Sequence, residues 1–402
     1  MLCSFADSPL TPAMRDAIDR AGYSTPTPIQ STTIEPILEG RDLIGCAQTG
    51  TGKTAAFVIP TIERLTRADS SLAPHAAGGG PRVLVLAPTR ELALQIAKTF
   101  DMLGGAQGVR TLVLIGGESI GPQLAGLQKR PSVIVATPGR LVDHLERRSV
   151  GLGAVRVVVL DEADRMLDMG FAPQVERILR MTPLDRQTLC FSATMPPAVE
   201  TLVRRHLVRP VRIEVGASAK PVAKVTQRLY KASTQDKTPL LLKLLGEERG
   251  RTLVFTRTKH RADRVARAVG NAGHRVTRLH ADRSMSQRRE ALDGFRSGRY
   301  RVLIATDIAA RGIDVPEIAH VVNFDLPHTP EDYIHRIGRT ARAEASGRAT
   351  SFAAPEEREQ LRVIERHLGH PILTRASADG DQAPDRPVAR ITPAVVAGIT
   401  GA

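Results

Sequence analysis

The sequence predicts two α/β domains, each built on a parallel β-sheet. Strand-like apolar runs alternate with helical stretches through both halves of the chain, which is the pattern of parallel strands connected by helices. A glycine-rich loop between a strand and a helix, and a buried strand that ends on acidic residues, are typical of a domain of this class. With 402 residues, the chain is long enough for two domains of ordinary size.

The strand predictions rest on short apolar runs that are bounded by turn residues. They lie near residues 43–46, 82–87, 111–115, 133–136, 157–160 and 187–191 in the first half, and near residues 252–256, 275–279, 301–305, 319–323 and 349–353 in the second. Residues 216–221 are small and without periodicity, and they predict a linker. A triple glycine predicts a surface loop over residues 70–81, and the polar residues 371–402 predict a short disordered C-terminal tail.

The octapeptide at residues 47–54 describes a cradle for phosphate groups. It follows the strand-like residues 42–46 and precedes the helix-like residues 55–59, which is the context of a P-loop. Lys53 would reach the β- and γ-phosphates of a nucleotide, and the Thr54 hydroxyl would hold Mg²⁺. Taken alone, the match is equally compatible with a loop that binds no nucleotide, because Ala47 stands where the motif usually begins with Gly. The predicted ATP-binding residues of this loop are Ala47, Gln48, Thr49, Gly50, Thr51, Gly52, Lys53 and Thr54.

A second signature follows about a hundred residues later. Residues 155–160 read as a buried parallel strand, because they form a nearly continuous β-branched run, and they end on Asp161-Glu162-Ala163-Asp164. At the carboxyl end of such a strand, beside a P-loop, Asp161 is placed to hold Mg²⁺ through water. Glu162 is placed to orient and deprotonate the attacking water. In isolation, the same tetrapeptide would read as a charged turn.

Charge and composition narrow the class of protein. Residues 1–215 hold 24 Lys and Arg against 21 Asp and Glu, whereas residues 216–370 hold 29 against 18, so most of the net charge of +14 lies in the second half. A basic half fits a polyanionic partner, although an Arg-rich surface without such a partner would give the same count. The three cysteines lack metal-ligand spacing, and neither a membrane span nor a signal peptide is evident. These features predict a cytoplasmic protein.

In this order, the motifs resemble those of the DEAD-box ATP-dependent RNA helicases, most closely the bacterial RhlE-type members, over roughly residues 1–370. The resemblance implies two tandem RecA-like domains. The implied organisation is a Q-motif segment at residues 1–31, an ATP-binding domain at 32–215, a C-terminal helicase domain at 222–370 and the tail at 371–402. The implied activity is RNA-dependent ATP hydrolysis with Mg²⁺. RNA would lie across both domains as a single strand, and short duplexes and RNP would be unwound locally or remodelled.

Residues 22–30, with Phe5 ahead of them, resemble the Q motif. An amide side chain can donate to and accept from the adenine edge at once, so Gln30 is expected to read the base and Tyr23 to stack on it. Thr25 belongs to the same implied ATP site, and Asp314 resembles the residue that accepts from the ribose hydroxyl. A Pro-rich turn that caps a helix is the alternative interpretation of residues 22–30.

Further loops resemble those that grip the sugar–phosphate backbone of RNA. Arg and Thr suit phosphate oxygens, Gly permits close backbone approach, and no aromatic side chain offers stacking, so recognition should be independent of sequence. Taken singly, each of these turns is equally typical of a loop that has only a structural role. The family usually has Gln at the position of Met285, which leaves that contact in doubt. The implied RNA-binding residues are Pro88, Thr89, Arg90, Gly117, Thr137, Pro138, Arg140, Arg257, Arg288 and Thr306.

The resemblance also implies residues that couple the two sites. Ser192 and Thr194 would link the ATP state to the RNA grip through hydroxyl hydrogen bonds to the acidic motif, and His335 and Arg336 would support contact between the domains. Arg339 and Arg342 would act as arginine fingers on the γ-phosphate. A solvated basic helix face would show the same arginine spacing.

Two other functions remain compatible with parts of the pattern. A DNA translocase shares the P-loop and the arginine fingers, but the Gln30 segment and the acidic string argue against it. An RNA-binding scaffold with a vestigial ATPase is the other, although the matched catalytic positions are chemically intact. The expected partner is single-stranded or short duplex RNA, and a monomer is the default because the residues do not reveal the oligomeric state. Ribosomal and RNA-decay assemblies are candidate partners, and nothing in the sequence separates them.

Overall fold

The computed structural model describes residues 4–47, 50–67, 80–215, 225–307, 315, 318–340 and 347–375. They form two seven-stranded sheets, in which every described strand pairing is parallel. The strands of the first sheet are β1 (Leu43–Cys46), β2 (Val83–Leu86), β3 (Thr111–Leu114), β4 (Val133–Ala136), β5 (Val157–Leu160), β6 (Gln187–Ser192) and β7 (Val211–Glu214). Those of the second are β8 (Val225–Lys231), β9 (Arg251–Phe255), β10 (Val276–Leu279), β11 (Val302–Ala305), β12 (Ile318–Asn323), β13 (Gly347–Ala353) and β14 (Thr374–Arg375).

Helices connect the strands and cover both faces of each sheet. In the first half they are α1 (Pro12–Arg20), α2 (Pro28–Leu38), α3 (Lys53–Thr66), α4 (Arg90–Gly104), α5 (Ile120–Gln128), α6 (Pro138–Glu146), α7 (Ala163–Asp168), α8 (Ala172–Arg180) and α9 (Pro197–His206). In the second they are α10 (Lys237–Glu247), α11 (Lys259–Asn271), α12 (Met285–Arg296), α13 (Pro330–Ile337) and α14 (Arg358–Leu368). Several begin with side-chain caps, such as Thr89 before α4 and Thr258 before α11.

The two sheets share one topology. The first has the order β3-β4-β2-β5-β6-β1-β7, and the second has the order β10-β11-β9-β12-β13-β8-β14, which is the same order with each strand replaced by its counterpart. Because all strands of a sheet run the same way, the loops after their carboxyl ends gather along one edge. The predicted α/β class with two RecA-like domains is confirmed by this arrangement.

The central strands of the first sheet are buried on both faces. Along β2, Val83 and Val85 pack into the core that includes α3 and α4, whereas Leu84 and Leu86 pack into the core on the opposite face. Side chains alternate between the two faces of a strand, so a strand between two helical layers needs apolar residues at every position. This requirement explains the continuous β-branched runs in the sequence.

All eleven predicted strands are present, and the structure adds three that the sequence analysis missed. β7 and β14 lie at sheet edges, where β7 alternates between half-buried and exposed residues and Thr374 of β14 is exposed, so the apolar signal is weak. β8 does alternate between buried and more exposed residues, and that period of two could have revealed it.

The first residues of the predicted tail belong to the second sheet. The Leu373 carbonyl accepts a hydrogen bond of 2.8 Å from the Leu229 backbone N–H, and Ile372 is buried beside Leu361 and Ile364. Residues 371–375 therefore complete a sheet edge, which corrects the prediction that disorder begins at residue 371. The predicted linker at 216–221, most of the loop at 70–81 and residues 376–402 lie outside the described residues.

A buried histidine stabilises the second sheet only in its neutral form. His320 of β12 is 2% exposed, and its Nε2 lies 2.8 Å from the Thr350 hydroxyl of the adjacent strand. Burial, together with the positive charges of Arg348 and Arg228, lowers the pKa of His320 to about 4. The Glu248 carboxylate lies 3.8 Å from the other ring nitrogen but is itself paired with Arg348.

This histidine predicts a loss of stability in mild acid. In the unfolded chain the pKa of His320 returns to about 6.5, so protonation of this side chain favours unfolding. The stabilisation that neutral His320 contributes is therefore complete above about pH 6.5 and is lost as the pH falls toward the pKa of the folded state. Between pH 7 and pH 5 we expect the free energy of unfolding to fall by about 2 kcal/mol through this group. His320→Gln keeps a hydrogen-bonding side chain that does not titrate and should show a correspondingly smaller loss in urea unfolding. Equal losses in the two proteins would contradict this role.

Candidate nucleotide site and nucleic-acid interface

The P-loop forms at the carboxyl end of β1, as the sequence predicts. Gly50 and Gly52 have φ values of +87° and +89°, and α3 begins directly after Gly52. Left-handed backbone at these positions turns the loop toward the helix N-terminus, and a side chain there would be strained. The buried Lys53 is the first residue of α3, and its ammonium donates a hydrogen bond to the Ala47 carbonyl across the loop. Its charge is thus held inside the cradle.

A cavity of about 770 Å³ adjoins this loop and is shared by the two sheets. Six of the twelve predicted ATP-binding residues line it, together with the two adjacent acids and one of the predicted arginine fingers. Those residues are Tyr23, Gln30, Gly50, Gly52, Lys53, Thr54, Asp161, Glu162 and Arg339. Thr25 is exposed, and neither it nor Ala47 or Thr51 is part of this lining. Gln48, Thr49, Asp314 and Arg342 lie outside the described residues.

Gln30 ties the Q-motif segment to the P-loop. Its Nε2 donates to the Gly52 carbonyl at 3.1 Å, and its Oε1 accepts from the Thr27 backbone N–H at 2.9 Å. A Cβ at Gly52 would lie 2.5 Å from Gln30 Nε2, so glycine is required for this contact. An amide has two N–H groups and two carbonyl lone pairs, and these two bonds use one of each. One N–H group and one lone pair of Gln30 therefore remain for an adenine edge.

The two adjacent acids at the end of β5 differ sharply in their electrostatics. Burial, reinforced by the neighbouring Glu162 charge, raises the pKa of Asp161 to about 7. Burial alone would also raise the pKa of Glu162, but the Arg165 guanidinium paired with it and the Lys53 ammonium lower it to about 2. Glu162 is therefore ionised at neutral pH, whereas Asp161 requires a nearby cation to hold its charge fully.

The acidic strand end also carries backbone strain. Glu162 has a φ of +51° and precedes α7 in the left-handed conformation. For a residue with a Cβ, this conformation costs about 1–2 kcal/mol, and such strain is concentrated at functional sites. The Arg165 pair holds the Glu162 side chain in the resulting direction.

Asp161 and Thr54 fit a magnesium ion in this cavity. Mg²⁺ commonly takes one or two protein oxygen ligands and completes its shell with phosphate and water oxygens. The Asp161 carboxylate and the Thr54 hydroxyl line the same cavity as Lys53, and the raised pKa of Asp161 would be relieved by a cation. Among the described residues, no group of three or more His, Cys, Asp or Glu forms a complete metal site. The residues therefore fit a metal that arrives with its nucleotide.

Asp164 joins the acidic motif to the loop after β6. Its carboxylate accepts hydrogen bonds from the Thr194 hydroxyl at 2.8 Å and from the Thr194 backbone N–H at 2.9 Å. It also accepts from the Ala193 N–H at 3.2 Å, and its own N–H donates to the Ser192 hydroxyl. Any shift of the acidic motif must therefore move residues 192–194 as well.

The second sheet contributes a buried cation to the nucleotide cavity. Arg339 follows α13, is 4% exposed and donates from Nε to the His335 carbonyl at 3.2 Å. Its positive charge is one of those that lower the pKa of Glu162, a residue of the first sheet. Burial and the charge of Arg165 in turn lower the pKa of His335. The two sheets thus meet through charged groups at this cavity.

Arg336 is anchored within its own domain rather than in the cavity. It donates to both carboxylate oxygens of Asp307 at 2.5 and 2.6 Å and to the Asn323 amide oxygen at 3.1 Å, and its guanidinium lies 4.9 Å from the centre of the Phe255 ring. The Arg336 guanidinium is therefore occupied by contacts within its own domain, because it is buried, pairs with both oxygens of one carboxylate and stacks on an aromatic ring. It holds α13, and hence Arg339, against the carboxyl edge of the second sheet.

A second cavity, of about 450 Å³, gathers the predicted RNA-binding loops of the first sheet. Burial, and then the charge of the nearby Arg288, lower the pKa of Arg90. Closely placed cations that raise each other's energy in this way favour an anionic ligand. The lining includes Pro88, Thr89, Arg90, Gly116, Thr137, Gly139 and Arg140, with Arg288 from the second sheet, while Gly117 and Pro138 are their chain neighbours.

Arg257 and Thr306 do not line this second cavity. Arg257 follows β9, and its guanidinium donates to the Glu357 carboxylate at 2.7 Å, while its backbone N–H donates to Asp325 at 2.9 Å. Thr306 follows β11 and donates its N–H to the Leu279 carbonyl at 3.2 Å. Both lie at the carboxyl edge of the second sheet, beyond the walls of this cavity.

Glu91 is a site residue that the sequence analysis missed. Its carboxylate accepts hydrogen bonds from Arg288 at 2.6 and 2.5 Å, and both side chains are about one-tenth exposed. Glu91 lines both cavities and pairs with the opposite sheet, so it lies where the two sites and the two domains meet. Its neighbours Thr89 and Arg90 were assigned by resemblance, but a role that depends on a partner 197 residues away leaves no local signal.

The substitution at Met285 has a local context in the structure. Gln287 lies in the first turn of α12, where its side chain accepts from the Ser284 N–H at 3.1 Å and its own N–H donates to the Ser284 hydroxyl at 3.3 Å. These reciprocal bonds form a capping box. Gln287 is therefore occupied with starting the helix and does not stand in for the glutamine expected at residue 285.

Comparison with known proteins places the chain in a family. The DEAD/DEAH box helicase family profile matches residues 27–202, and the helicase conserved C-terminal domain profile matches residues 236–344. The DEAD-box ATP-dependent RNA helicase CshA of Bacillus subtilis is 41% identical over 366 residues, which are 91% of this chain and 72% of that protein. Among the described residues, no helix combines the length and apolar character of a membrane span.

Two solved structures resemble the fold to different degrees. Saccharomyces cerevisiae Dbp5 bound to RNA and ADP BeF3 has a TM-score of 0.83 at 31% identity, with 94% of this chain and 97% of that chain covered. A DEAD box protein from Methanococcus jannaschii has a TM-score of 0.53 at 35% identity, with 93% and 99% covered.

Gly117 provides a test of the RNA interface. It has a φ of +76°, and a Cβ there would lie 2.0 Å from Arg90 Nη1. We expect Gly117→Ala to displace the Arg90 guanidinium and to weaken RNA binding about tenfold, which corresponds to ~1–2 kcal/mol of strain and lost contact.

Gly121→Ala is the matched control for this prediction, because a Cβ at residue 121 would have no atom within 4 Å and the φ of this glycine is not positive. Fluorescence anisotropy with a labelled single-stranded RNA would measure both variants. Equal affinity of Gly117→Ala and Gly121→Ala would show that the glycine does not serve the Arg90 contact.

Proposed function

The chain belongs to the DEAD-box family of ATP-dependent RNA helicases, and we propose that it hydrolyses ATP efficiently only when RNA holds its two domains together. It is an RNA-dependent ATPase that remodels RNA. The observation that carries the proposal is the shared cavity, in which Lys53 and Glu162 of the first sheet face Arg339 of the second. Neither half contains the whole set of charges, so hydrolysis depends on how the domains are placed.

The nucleotide is bound mainly by the first domain. Lys53, released from the Ala47 carbonyl, reaches the β- and γ-phosphates, and the P-loop N–H groups cradle them. Gln30 reads the adenine edge with its remaining N–H and lone pair, and Tyr23 stacks on the base. Asp314 accepts from the ribose hydroxyl. Thr25 and residues 47–51 complete this proposed site.

The acids divide the chemical work according to their charge. Glu162, ionised because of Arg165, orients the attacking water and accepts its proton. Asp161, through water, and the Thr54 hydroxyl would hold Mg²⁺, which would neutralise charge on the phosphates. Arg339, with Arg342 from the segment that follows it, stabilises the negative charge of the transition state.

RNA is held by its backbone across the two domains. The cavity of Arg90, Thr137 and Arg140 binds phosphates through the first domain, and Arg257, Arg288 and Thr306 extend the groove on the second. No aromatic side chain lines this cavity except Phe171, so stacking and base readout contribute little. Binding is accordingly independent of sequence.

Two links transmit the state of one site to the other. Asp164 connects the acidic motif to Ser192 and Thr194, and the Glu91–Arg288 pair closes the boundary between the two cavities. The higher TM-score to a relative bound to RNA and ADP BeF3 supports assigning this arrangement to the closed state. Because ATP and RNA each favour that state, each favours binding of the other. His335 and Arg336 support Arg339 in this arrangement.

Finer features of the proposal rest on the sequence. The motif strings support a bacterial RhlE-type member, and the cysteine content supports work in the cytoplasm. A monomer is the default oligomeric state. Ribosomal and RNA-decay assemblies are the candidate partners. The boundaries at residues 31, 215 and 222 are proposed as the limits of the Q-motif segment and the two domains, with the second domain extended to residue 375 by β14.

The central test is steady-state ATP hydrolysis with single-stranded RNA, with a matched DNA oligomer and with neither. We expect strong stimulation by RNA, weak stimulation by DNA and loss of activity in Glu162→Gln. Arg339→Ala should retain RNA binding but lose on the order of 10³–10⁵ in rate, because it removes a transition-state contact. Arg289→Ala, which removes an exposed charge lining the same cavity, is the matched control and should change the rate little.

Each alternative has its own outcome in this assay. Equal stimulation by DNA and RNA would indicate a DNA translocase instead. No hydrolysis under any condition would favour an RNA-binding scaffold. Unchanged turnover in Arg339→Ala would remove the assignment of the arginine finger while leaving the RNA-dependent ATPase in place.

The Glu91–Arg288 pair predicts a specific defect in closure. Glu91→Gln leaves Arg288 buried without its charged partner, so the closed state should lose about 1–3 kcal/mol. We expect about tenfold more RNA to be needed for half-maximal ATPase stimulation, with a similar rate at saturating RNA. Glu118→Gln removes the same charge near the same cavity and should behave like the parent protein.

A double-mutant cycle identifies the pair as the cause. If Glu91 and Arg288 act through each other, Glu91→Gln combined with Arg288→Met should cost less than the sum of the two single changes. Additive effects would mean that each residue acts separately, for example through its own contact with RNA.

A further inference from the structure

Helix α11 of the second domain presents an unusual charged face. His260, Arg264 and Arg267 are exposed, and their spacing of four and three residues places them along one side of the helix. The opposite side, with Ala262 and Val265 among its residues, packs into the core of the second sheet. Because the apolar side of α11 is buried in the core, the side that carries the charges must face solvent.

The positive charge on this face is not neutralised within the protein. Of the seven Lys and Arg in residues 257–278, four pair with acids: Arg257 with Glu357, Lys259 with Asp282, Arg261 with Asp325 and Arg278 with Asp263. Among the described residues, Arg264 and Arg267 have no ion pair. Positive groups in the first two turns also oppose the helix dipole, which favours anions at that end.

A general excess of arginine does not account for this face. Helix α14 of the same domain carries Arg362 and Arg366 on its exposed surface, but Glu359 and Glu365 lie among them, and Arg362 pairs with Glu359 at 3.4 Å. Alternating charge of this kind is typical of a solvated helix. The face of α11 has no such alternation, so its charge is a local feature.

The position of α11 connects this face to the proposed RNA groove. The helix begins immediately after Arg257 and Thr258, the loop at the carboxyl end of β9, and the Thr258 hydroxyl caps it by accepting from the Arg261 N–H at 3.2 Å. From residue 260 to residue 267 the helix rises about 10 Å. The basic face thus starts at the edge of the groove and leads away from it along the outside of the domain.

We propose that this face of α11, through Arg264 and Arg267, binds the phosphate backbone of an RNA duplex that flanks the single-stranded segment in the groove. The inference rests on the proposed function, which puts RNA at Arg257. This face lies outside the groove proposed for the single strand, and duplex RNA is recognised by its shape and by contacts to its phosphates, which exposed arginines can supply. This surface would hold the protein beside the duplex that it is to open.

The test compares two RNAs on the full chain with a non-hydrolysable ATP analogue present. One is a short single strand, and the other carries the same single-stranded segment with a duplex at each of its two ends. For Arg264→Gln/Arg267→Gln we expect the Kd of the duplex-flanked RNA to rise about tenfold, and the salt dependence of log Kd to fall by roughly 1–2. The Kd of the single strand, and its stimulation of ATP hydrolysis, should stay at the parent values.

The controls separate this surface from charge and folding in general. Arg362→Gln/Arg366→Gln removes the same charge from α14 and should change neither Kd, and Arg264→Lys/Arg267→Lys should restore most of the duplex affinity. An unchanged Kd for duplex-flanked RNA in the glutamine variant would overturn the inference. So would equal weakening toward both RNAs, which would place the arginines in the groove itself. Failure of RNA to stimulate the parent protein would instead refute the proposed function.

Discussion

The parallel pairing of every described strand is the constraint on which the rest of the structure depends. Parallel strands end along one edge of a sheet, so the loops that carry polar side chains must gather there, and both sheets have the same strand order. Lys53, Asp161 and Thr194 come from loops after β1, β5 and β6, which are adjacent in the sheet although far apart in the chain. The part of the site within each domain is therefore rigid, whereas the relative placement of the two parts can change, because no described strand crosses the boundary between the domains.

The electrostatics of the nucleotide cavity follow from burial next to unequal partners. Asp161 and Glu162 are adjacent and both are buried, yet only Glu162 has an arginine beside it. One acid is thereby kept ionised, as its proposed role in proton transfer requires, and the other is available to the proposed Mg²⁺ ion. Arg339 approaches from the second sheet, and its charge reaches Glu162, so the final element of the site is supplied by domain placement.

The two cavities are linked by short polar contacts rather than by a long rigid element. Asp164 binds the Thr194 loop within the first domain, and Glu91 binds Arg288 across the boundary. Polar pairs of this type hold strongly when water is excluded and weaken when the boundary opens, which suits a reversible closure. The basic face of α11 lies outside both cavities and adds a contact that is independent of closure.

The sequence by itself determined the fold class and eleven of the fourteen described strands, and it predicted the residues of a nucleotide site, because those features are local: periodicity, a glycine-rich turn and an acidic strand end. It did not determine the edge strand at residues 374–375, whose backbone pairing depends on Leu229 far earlier in the chain. Nor did it assign a role to Glu91 or separate the pKa values of Asp161 and Glu162. Those properties depend on a partner 197 residues away, and on the burial of the two acids and their approach to Lys53, which only folding produces, so only the tertiary structure could decide them.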